Sequence, residues 1–400
     1  MKKGWKYKKF KDISHSISDG DWIEKKDQSN SGIRLIQTGN IGVGKFIPKD
    51  DSRKFITEDT FKRLKCSEIF EGDVLISRLP NPLGRSCILP KLDTRCITAV
   101  DCSIVRLKKE VILSEYFIYY TQSQGYFTKI DSESSGTTRA RITRKKLEQT
   151  EIPIPPLSEQ KEIVEYLDSS FAKIDKLKEN AAKNLEEAKA LFQSALKDAL
   201  EPKEGWEEKT LGELGSLKNG MNFTKNESGT ELHILGVGDF GNLFSISNTE
   251  NLPIISLNEI PSDDYMLENE DIVFVRSNGN KNLVGRCLLV YPNNIKTSFS
   301  GFCIRFRKNS DKVDAKYLAY FLKAPNTRKK IAGNGANISN LNQKVLQSLA
   351  IPFPSLPEQQ SIVSFLDSLS EKVNTLQQNY SRISNECDAL KQAILRQVFE

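Results

Sequence analysis

Ile152-Pro153-Ile154-Pro155-Pro156-Leu157-Ser158-Glu159-Gln160 returns, 199 residues later, as Ile351-Pro352-Phe353-Pro354-Ser355-Leu356-Pro357-Glu358-Gln359. The match runs on through Ile163-Val164 and Ile362-Val363, Leu167-Asp168 and Leu366-Asp367, to Leu177 and Leu376. Upstream, Gly4-Trp5 returns as Gly205-Trp206, and Gly72-Asp73-Val74-Leu75-Ile76-Ser77-Arg78 as Glu270-Asp271-Ile272-Val273-Phe274-Val275-Arg276. Gly84-Arg85 pairs with Gly285-Arg286, and Gly136 with Gly335. An ordered series of matches at a nearly constant offset is the mark of a tandem duplication. The order is domain, helix, domain, helix, with boundaries at residues 1–150, 151–200, 201–349 and 350–400.

Each domain opens on a Trp-containing, strand-like segment, Gly4 to Ile13 and Gly205 to Leu214. Short runs rich in Val, Ile and Phe follow, punctuated by Gly, Pro and Asn, which predicts strands. In the first domain these are Ile33 to Ile36, Asp73 to Ser77, Cys87 to Leu89 and Cys102 to Leu107. In the second they are His233 to Val237, Asp271 to Val275, Cys287 to Tyr291 and Phe299 to Phe306. Helices are expected near Ser114 to Gln124 and Ala315 to Lys323. The fold class is therefore α+β: two globular domains, each a twisted sheet with a few helices, alternating with two long helices in a pseudo-twofold repeat.

The Pro-rich stretches resist helix and are expected to be extended, stiff joints. Ser355 and Glu358 stand at capping-box spacing at the entry to the second helix. Beyond the joints, Val164, Leu167, Phe171, Ile174, Ala181, Leu185, Ala188, Phe192, Ala195 and Ala199 step by threes and fours, with Lys178 or Leu177 filling one turn. Val363, Leu366, Val373, Tyr380, Ile383, Cys387, Leu390 and Ile394 do the same. This is a heptad seam. Large Phe171 has small Ser370 as its counterpart, and small Ala181 has large Tyr380, so the two helices are expected to pack on each other as an antiparallel coiled coil.

No stretch is long and apolar enough for a membrane span, and the basic start, Met1-Lys2-Lys3, is followed by no apolar run of the secretory kind. The expected location is the cytoplasm. The seven cysteines form no C-x-x-C pair and read as buried free thiols. With two histidines lacking partners at ligand spacing, no metal site is expected. Gly236-Val237-Gly238-Asp239-Phe240-Gly241 matches G-x-G-x-x-G, but a strand-like segment follows where a dinucleotide fold needs a helix, so it reads as a glycine turn. Asn81-Pro82-Leu83-Gly84 lacks the second proline and the aromatic of an adenine methyltransferase motif. No catalytic constellation and no cofactor site emerge.

The net charge is +6. Residues 1–150 carry 29 Lys and Arg against 19 Asp and Glu, and residues 201–349 carry 18 against 17. The first domain thus suits an anionic partner, and the second does so weakly. Basic and amide-rich loops recur at matched places. The first loop is Arg78, Asn81 and Arg85, matched by Arg276, Asn278, Asn280, Lys281 and Arg286. The second is Thr137, Thr138, Arg139, Arg141, Arg144, Lys145 and Lys146, matched by Asn337, Ser339, Asn340 and Lys344. A third is Gln37, Thr38 and Asn40. Arg suits guanine, Asn and Gln suit adenine, and Lys, Ser and Thr suit phosphate oxygens. These are the candidate DNA-binding residues. A coiled-coil adaptor binding only protein, or a self-contained methyltransferase, are the competing readings.

The "GW" openings, "GDVLISR" with its echo, and "SGTTRARI…IPIPPLSEQKEIVEYLD" with its echo from Gly333 to Asp367 together resemble the specificity subunit of type I restriction-modification systems. The resemblance covers essentially the whole chain, although "GNGANIS" departs from "SGTTRARIT". It implies that each domain is a target recognition domain reading one half of a bipartite, asymmetric site on double-stranded DNA. The coiled coil would set the gap between halves. Two methyltransferase subunits would dock largely through the helices, and restriction subunits that translocate and cut DNA would join them. S-adenosylmethionine, ATP and magnesium would belong to those partners, and this chain would be non-catalytic.

Overall fold

The computed structural model describes residues 4–135, 140–223, 228–332 and 340–400. It divides into two compact units. One reaches to Ala182 and takes in Tyr380–Glu400; the other is Lys183–Asn379.

In the first unit, strands Ser14–Asp19, Cys102–Leu107, Val74–Ser77 and Ser86–Ile88 lie side by side in that order, all antiparallel. A second sheet orders Lys54–Ile56, Ile33–Ile36, Cys96–Thr98 and Glu68–Ile69, its central pair parallel. The second unit repeats the plan. Gly215–Asn219, Cys303–Lys308, Asp271–Val275, Cys287–Val290 and Ser245–Ile246 form one sheet, and Ile254–Leu257, Thr230–Leu235 and Thr297–Phe299 the other. The expected strand over Phe299 to Phe306 is thus two strands in different sheets. The turn between them is closed by Ser300 Oγ, which accepts from Phe302 N at 3.1 Å. The expected helix over Ser114 to Gln124 likewise ends at Tyr120, and a new helix, Gln124–Glu133, starts behind the Ser123 cap.

The Pro-rich stretches do more than separate elements. Glu151–Ile154 pairs antiparallel with Lys6–Lys9, and Ala350–Phe353 with Glu207–Thr210. Proline is tolerated here because a two-stranded ribbon leaves its outer N–H side unpaired. The segment opening at each Trp is therefore a strand followed by one helical turn, Phe10–Ile13 and Leu211–Leu214.

The Glu-Gln pair explains why this motif is duplicated. Glu159 Oε1 accepts from Trp5 Nε1 at 2.7 Å, and Glu358 Oε1 from Trp206 Nε1 at 2.9 Å. Glu358 is thereby turned to the indole rather than to the Ser355 backbone that capping-box spacing suggested. Gln160 is fully buried. It accepts from Leu113 N and donates to the carbonyls of Val111 and Pro155. Gln359 does the same with Asp314 N and the carbonyls of Lys312 and Pro354. Tyr116 and Tyr317 donate to the carbonyls of Pro153 and Pro352 at 2.8 and 2.7 Å. Each joint is thus locked to its domain by a matched set of buried polar contacts.

The long helices run Leu157–Ala199 and Leu356–Phe399. They pair antiparallel. In the first unit Asp175 meets Lys391 at 2.5 Å and Lys178 meets Asp388 at 3.0 Å, so partners advance in opposite directions. Leu167, Phe171, Leu395, Val398 and Phe399 share one core with the first domain's Tyr116, Tyr120 and Tyr126. In the second unit Leu196, Ile362, Val363 and Leu366 join the core of Leu211, Phe274 and Tyr317. Of the expected seam, Val164, Leu167, Phe171, Ile174, Leu185, Phe192, Val363 and Leu366 are buried or half-buried. Val373, Tyr380, Ile383 and Ile394 are half-buried. Leu390 is a correction: it is 50% exposed, because the helix ends by turning Lys391, Leu395 and Val398 inward. Lys178, not the exposed Leu177, covers the weak turn.

Candidate nucleic-acid interface

In each domain the structure brings the three loop regions together. In the first, Ile142 N donates to Arg78 O at 3.3 Å, docking the second loop on the first. Arg85 then ties the first loop to the third: its guanidinium donates to the carbonyls of Ile41, Thr38, Leu79 and Pro82. In the second domain Leu341 N donates to Arg276 O at 2.7 Å, and Arg286 reaches the Gly241 carbonyl at 3.1 Å.

The third loop is built alike in both copies. Thr38–Asn40 and Val237–Asp239 are single 3₁₀ turns. Asn40 Oδ1 accepts from Gln37 N at 2.9 Å, and Asp239 Oδ2 from Gly236 N at 2.8 Å. The glycine-rich stretch is therefore a self-capped turn, and no helix opens there.

Several sequence candidates hold the loops rather than project from them. Arg85 is buried and spends its donors on four carbonyls. Arg78 is 4% exposed; it donates to the Val100 carbonyl and lies 3.5 Å from Asp19. Burial pulls its guanidinium below the usual range, and Asp19 opposes that. Asn40 is buried and donates to Ile47 O. These three brace the loops through bonds to backbone carbonyls, which Arg78 supplements with the Asp19 ion pair. Arg141 pairs with Asp101 at 2.9 Å and Arg144 with Glu148 at 3.2 Å. Asn278 and Asn280 cap the backbone at Asn280 and Asn282. Arg276 is half-buried, with a long contact to Gly301 O. Gln37, Asn81, Lys145, Lys281 and Asn340 are exposed, and Thr38 half-exposed. Thr137, Thr138, Arg139, Asn337 and Ser339 lie outside the described residues.

The clefts beside the third loops differ. In the first domain a cleft of about 360 Å³ lies between Gln37–Asn40 and Lys49–Lys54. Lys49 and Lys54 are exposed on it. In the second domain the cleft is about 590 Å³ and apolar-rimmed, lined by Phe223, Phe302, Asp239, Asn278 and Ser277 among others. Phe302 is 61% exposed and Phe223 38%. Trp22, which matches Phe223 at the repeat offset, is 69% exposed. Sequence reading missed these aromatics because it weighed basic and amide residues only. The available signal was an aromatic two or three residues after a matched glycine, Trp22 after Gly20 and Phe223 after Gly220.

All seven cysteines are buried and free. Burial pushes the thiols of Cys87, Cys102 and Cys303 up to about 12, which leaves them protonated at neutral pH. Among the described residues no group of three His, Cys, Asp or Glu could hold a metal.

Comparison with known proteins gives a consistent result. The family described as "Type I restriction modification DNA specificity domain" matches twice, over residues 2–187 and 203–385. The type I restriction enzyme StySPI specificity subunit of Salmonella potsdam is 28% identical over 94% of this chain and 84% of its own length. The EcoKI specificity subunit of Escherichia coli K12 is 26% identical over the same shares. A solved structure from work on complex assembly and conformational transition of the type I R-M system covers 100% of this chain and 98% of its own, with a TM-score of 0.77 at 20% identity. The HsdS subunit from Thermoanaerobacter tengcongensis covers 100% and 97%, with a TM-score of 0.59 at 21% identity. The structures establish the shared fold, and the double match over nearly the whole length decides the rest: the chain belongs to the type I restriction-modification DNA specificity family.

Proposed function

We propose that this chain is the DNA-reading, non-catalytic subunit of a type I restriction-modification complex. Each domain reads one half of a bipartite site on double-stranded DNA. The observation that carries this reading is a duplicated scaffold with divergent loop surfaces. Matched contacts hold both domains to the helices, while the clefts beside the third loops are basic in one copy and apolar in the other. One scaffold with two unlike surfaces suits two unlike half-sites. The first long helix, at 43 residues, spans about 65 Å. That is more than the roughly 34 Å of one duplex turn, so it suits a spacer between half-sites.

The helices also carry exposed apolar residues in matched pairs: Tyr166 and Phe365, Leu177 and Leu376, Leu191 and Leu390. Such pairs suit a partner present twice, and two methyltransferase subunits fit that requirement. Restriction and translocase subunits complete the complex. S-adenosylmethionine, ATP and magnesium act on those partners, which perform adenine methylation and cleavage. No helix among the described residues is long and apolar enough to cross a membrane, which accords with action on cytoplasmic DNA.

Single-molecule methylation profiling of host DNA, with and without this chain beside its methyltransferase, tests the proposal. A chain-dependent, two-part adenine motif with a fixed gap is expected. No new motif, with both proteins expressed and associated, overturns it. Inserting four residues within 171–199 should lengthen the gap or abolish specific binding, and an unchanged gap would overturn the spacer role.

A further inference from the structure

The second unit holds a cavity of about 450 Å³ whose charged lining is wholly cationic: Arg286, Lys323 and Arg328, with Gln193 and the backbone after the glycine turn. No Asp or Glu lines it, and among the described residues none of the three cations has a carboxylate partner. Lys323 Nζ donates to the carbonyls of Leu243 at 2.9 Å and Cys287 at 2.7 Å. Arg328 Nη2 donates to Val284 O at 3.2 Å, while its Nη1 is buried with no hydrogen-bond partner. Burial pulls both Lys323 and Arg328 below their usual range; neighbouring Arg328 and Arg286 lower Lys323 further, and Arg286 lowers Arg328 further. Gathering half-buried like charges without a counter-ion costs free energy.

The first unit shows that the scaffold does not need them. At the repeat offset, Lys323 and Arg328 correspond to Gln122 and Phe127. There these two side chains are uncharged, and the one retained cation, Arg85, is spent on four backbone carbonyls. Tyr126 is fully buried and donates to Gly84 O at 3.0 Å, and Gln392 donates to Gln122 O at 3.1 Å. The equivalent glycines, Gly84 and Gly285, keep the same left-handed backbone at φ +80° and +75°. The glycine conformation is kept between copies, and the charges of Lys323 and Arg328 are new.

We infer that Arg286, Lys323 and Arg328 form a phosphate-class anion site, filled by a backbone phosphate of the DNA beside the half-site that the second domain reads. The inference rests on the DNA-reading proposal and deepens it. The overall charge of residues 201–349 is nearly balanced, so the domain's grip on the backbone is concentrated at this cluster. Guanidinium and ammonium groups supply the charge-assisted bonds that phosphate oxygens accept.

The test is the salt dependence of site-specific duplex binding by the full chain with its methyltransferase partner. In Lys323→Gln/Arg328→Phe, which installs the first copy's residues, the slope of log affinity against log salt should become shallower by about 0.9, the value for one phosphate. The methylated motif should not change. Lys323→Arg should keep the parent slope, and circular dichroism melting confirms that each variant is folded. An unchanged slope in the folded double variant overturns the assignment. If inorganic phosphate raises the parent's melting temperature at constant ionic strength, and the double variant's not at all, an unchanged slope assigns the cavity to a free anion instead and overturns the DNA role. Loss of methyltransferase association with an unchanged slope overturns it in favour of a protein carboxylate. Failure of the parent complex to bind any site would instead sink the DNA-reading proposal itself.

Discussion

The two recognition domains share a frame and differ in what that frame presents. Both close with a Trp–Glu bond, a buried Gln and a Tyr–carbonyl bond at the joint. Both cap the third loop with the side chain at its third turn position. Yet one offers Lys49 and Lys54 beside that loop and the other Phe223 and Phe302. Duplication preserved the contacts that fix loop position, and divergence acted on the atoms that face outward. A recognition module can change its target this way without risking its fold.

The comparison breaks first at the frame. Gln160→Ala and Gln359→Ala each strand three backbone groups, one buried and two part-buried, and should each cost about 3 kcal/mol, measured by denaturant unfolding. Unequal costs would show that the two joints are not equivalent. Next, Arg85 and Arg286 should part company. Arg85→Lys abandons buried carbonyls and should cost about 2 kcal/mol, whereas Arg286→Lys, with one carbonyl contact, should cost under about 1 kcal/mol; thermal melts decide. The clefts should then separate by readout. Phe302→Ala should lose about 1–2 kcal/mol of discrimination at the second half-site only, with an unchanged salt slope. Competition binding against duplexes altered in one half at a time measures it. The smallest effect belongs to Lys49→Ala/Lys54→Ala. It should reduce the salt slope by about 2 and leave the motif as it was. A shifted motif would mean that these lysines read bases.

Much of this was legible in the sequence because duplication prints every scaffold contact twice. The joint, the heptad seam and most strands follow from matched residues and simple periods. Illegible were features that depend on a partner distant in the chain. Arg85 looks like a base reader until four carbonyls from two segments surround it. Leu390 satisfies the seam spacing, yet the packing of Leu395, Val398 and Phe399 on aromatic side chains of the first domain rotates it outward. Exposed Phe302 reads as a strand residue in an apolar run, and only the turn at Ser300 lifts it out. Apolar pattern reports burial on average, and a short turn inverts it locally.

The first unit is completed by Tyr380–Glu400, a stretch separated from the rest of it by nearly two hundred residues. Phe399 stacks edge-on against Tyr116 and Tyr120 at 5.5 Å, and Glu400 accepts from Gly125 N at 2.9 Å. A nascent chain therefore cannot finish its first half before making its second. Until then the aromatic wall around Tyr116 and Tyr120 is open to water, and the long loop closure slows its capture. The first unit, begun before the second, is thus completed after it, because Lys183–Asn379 needs none of this stretch.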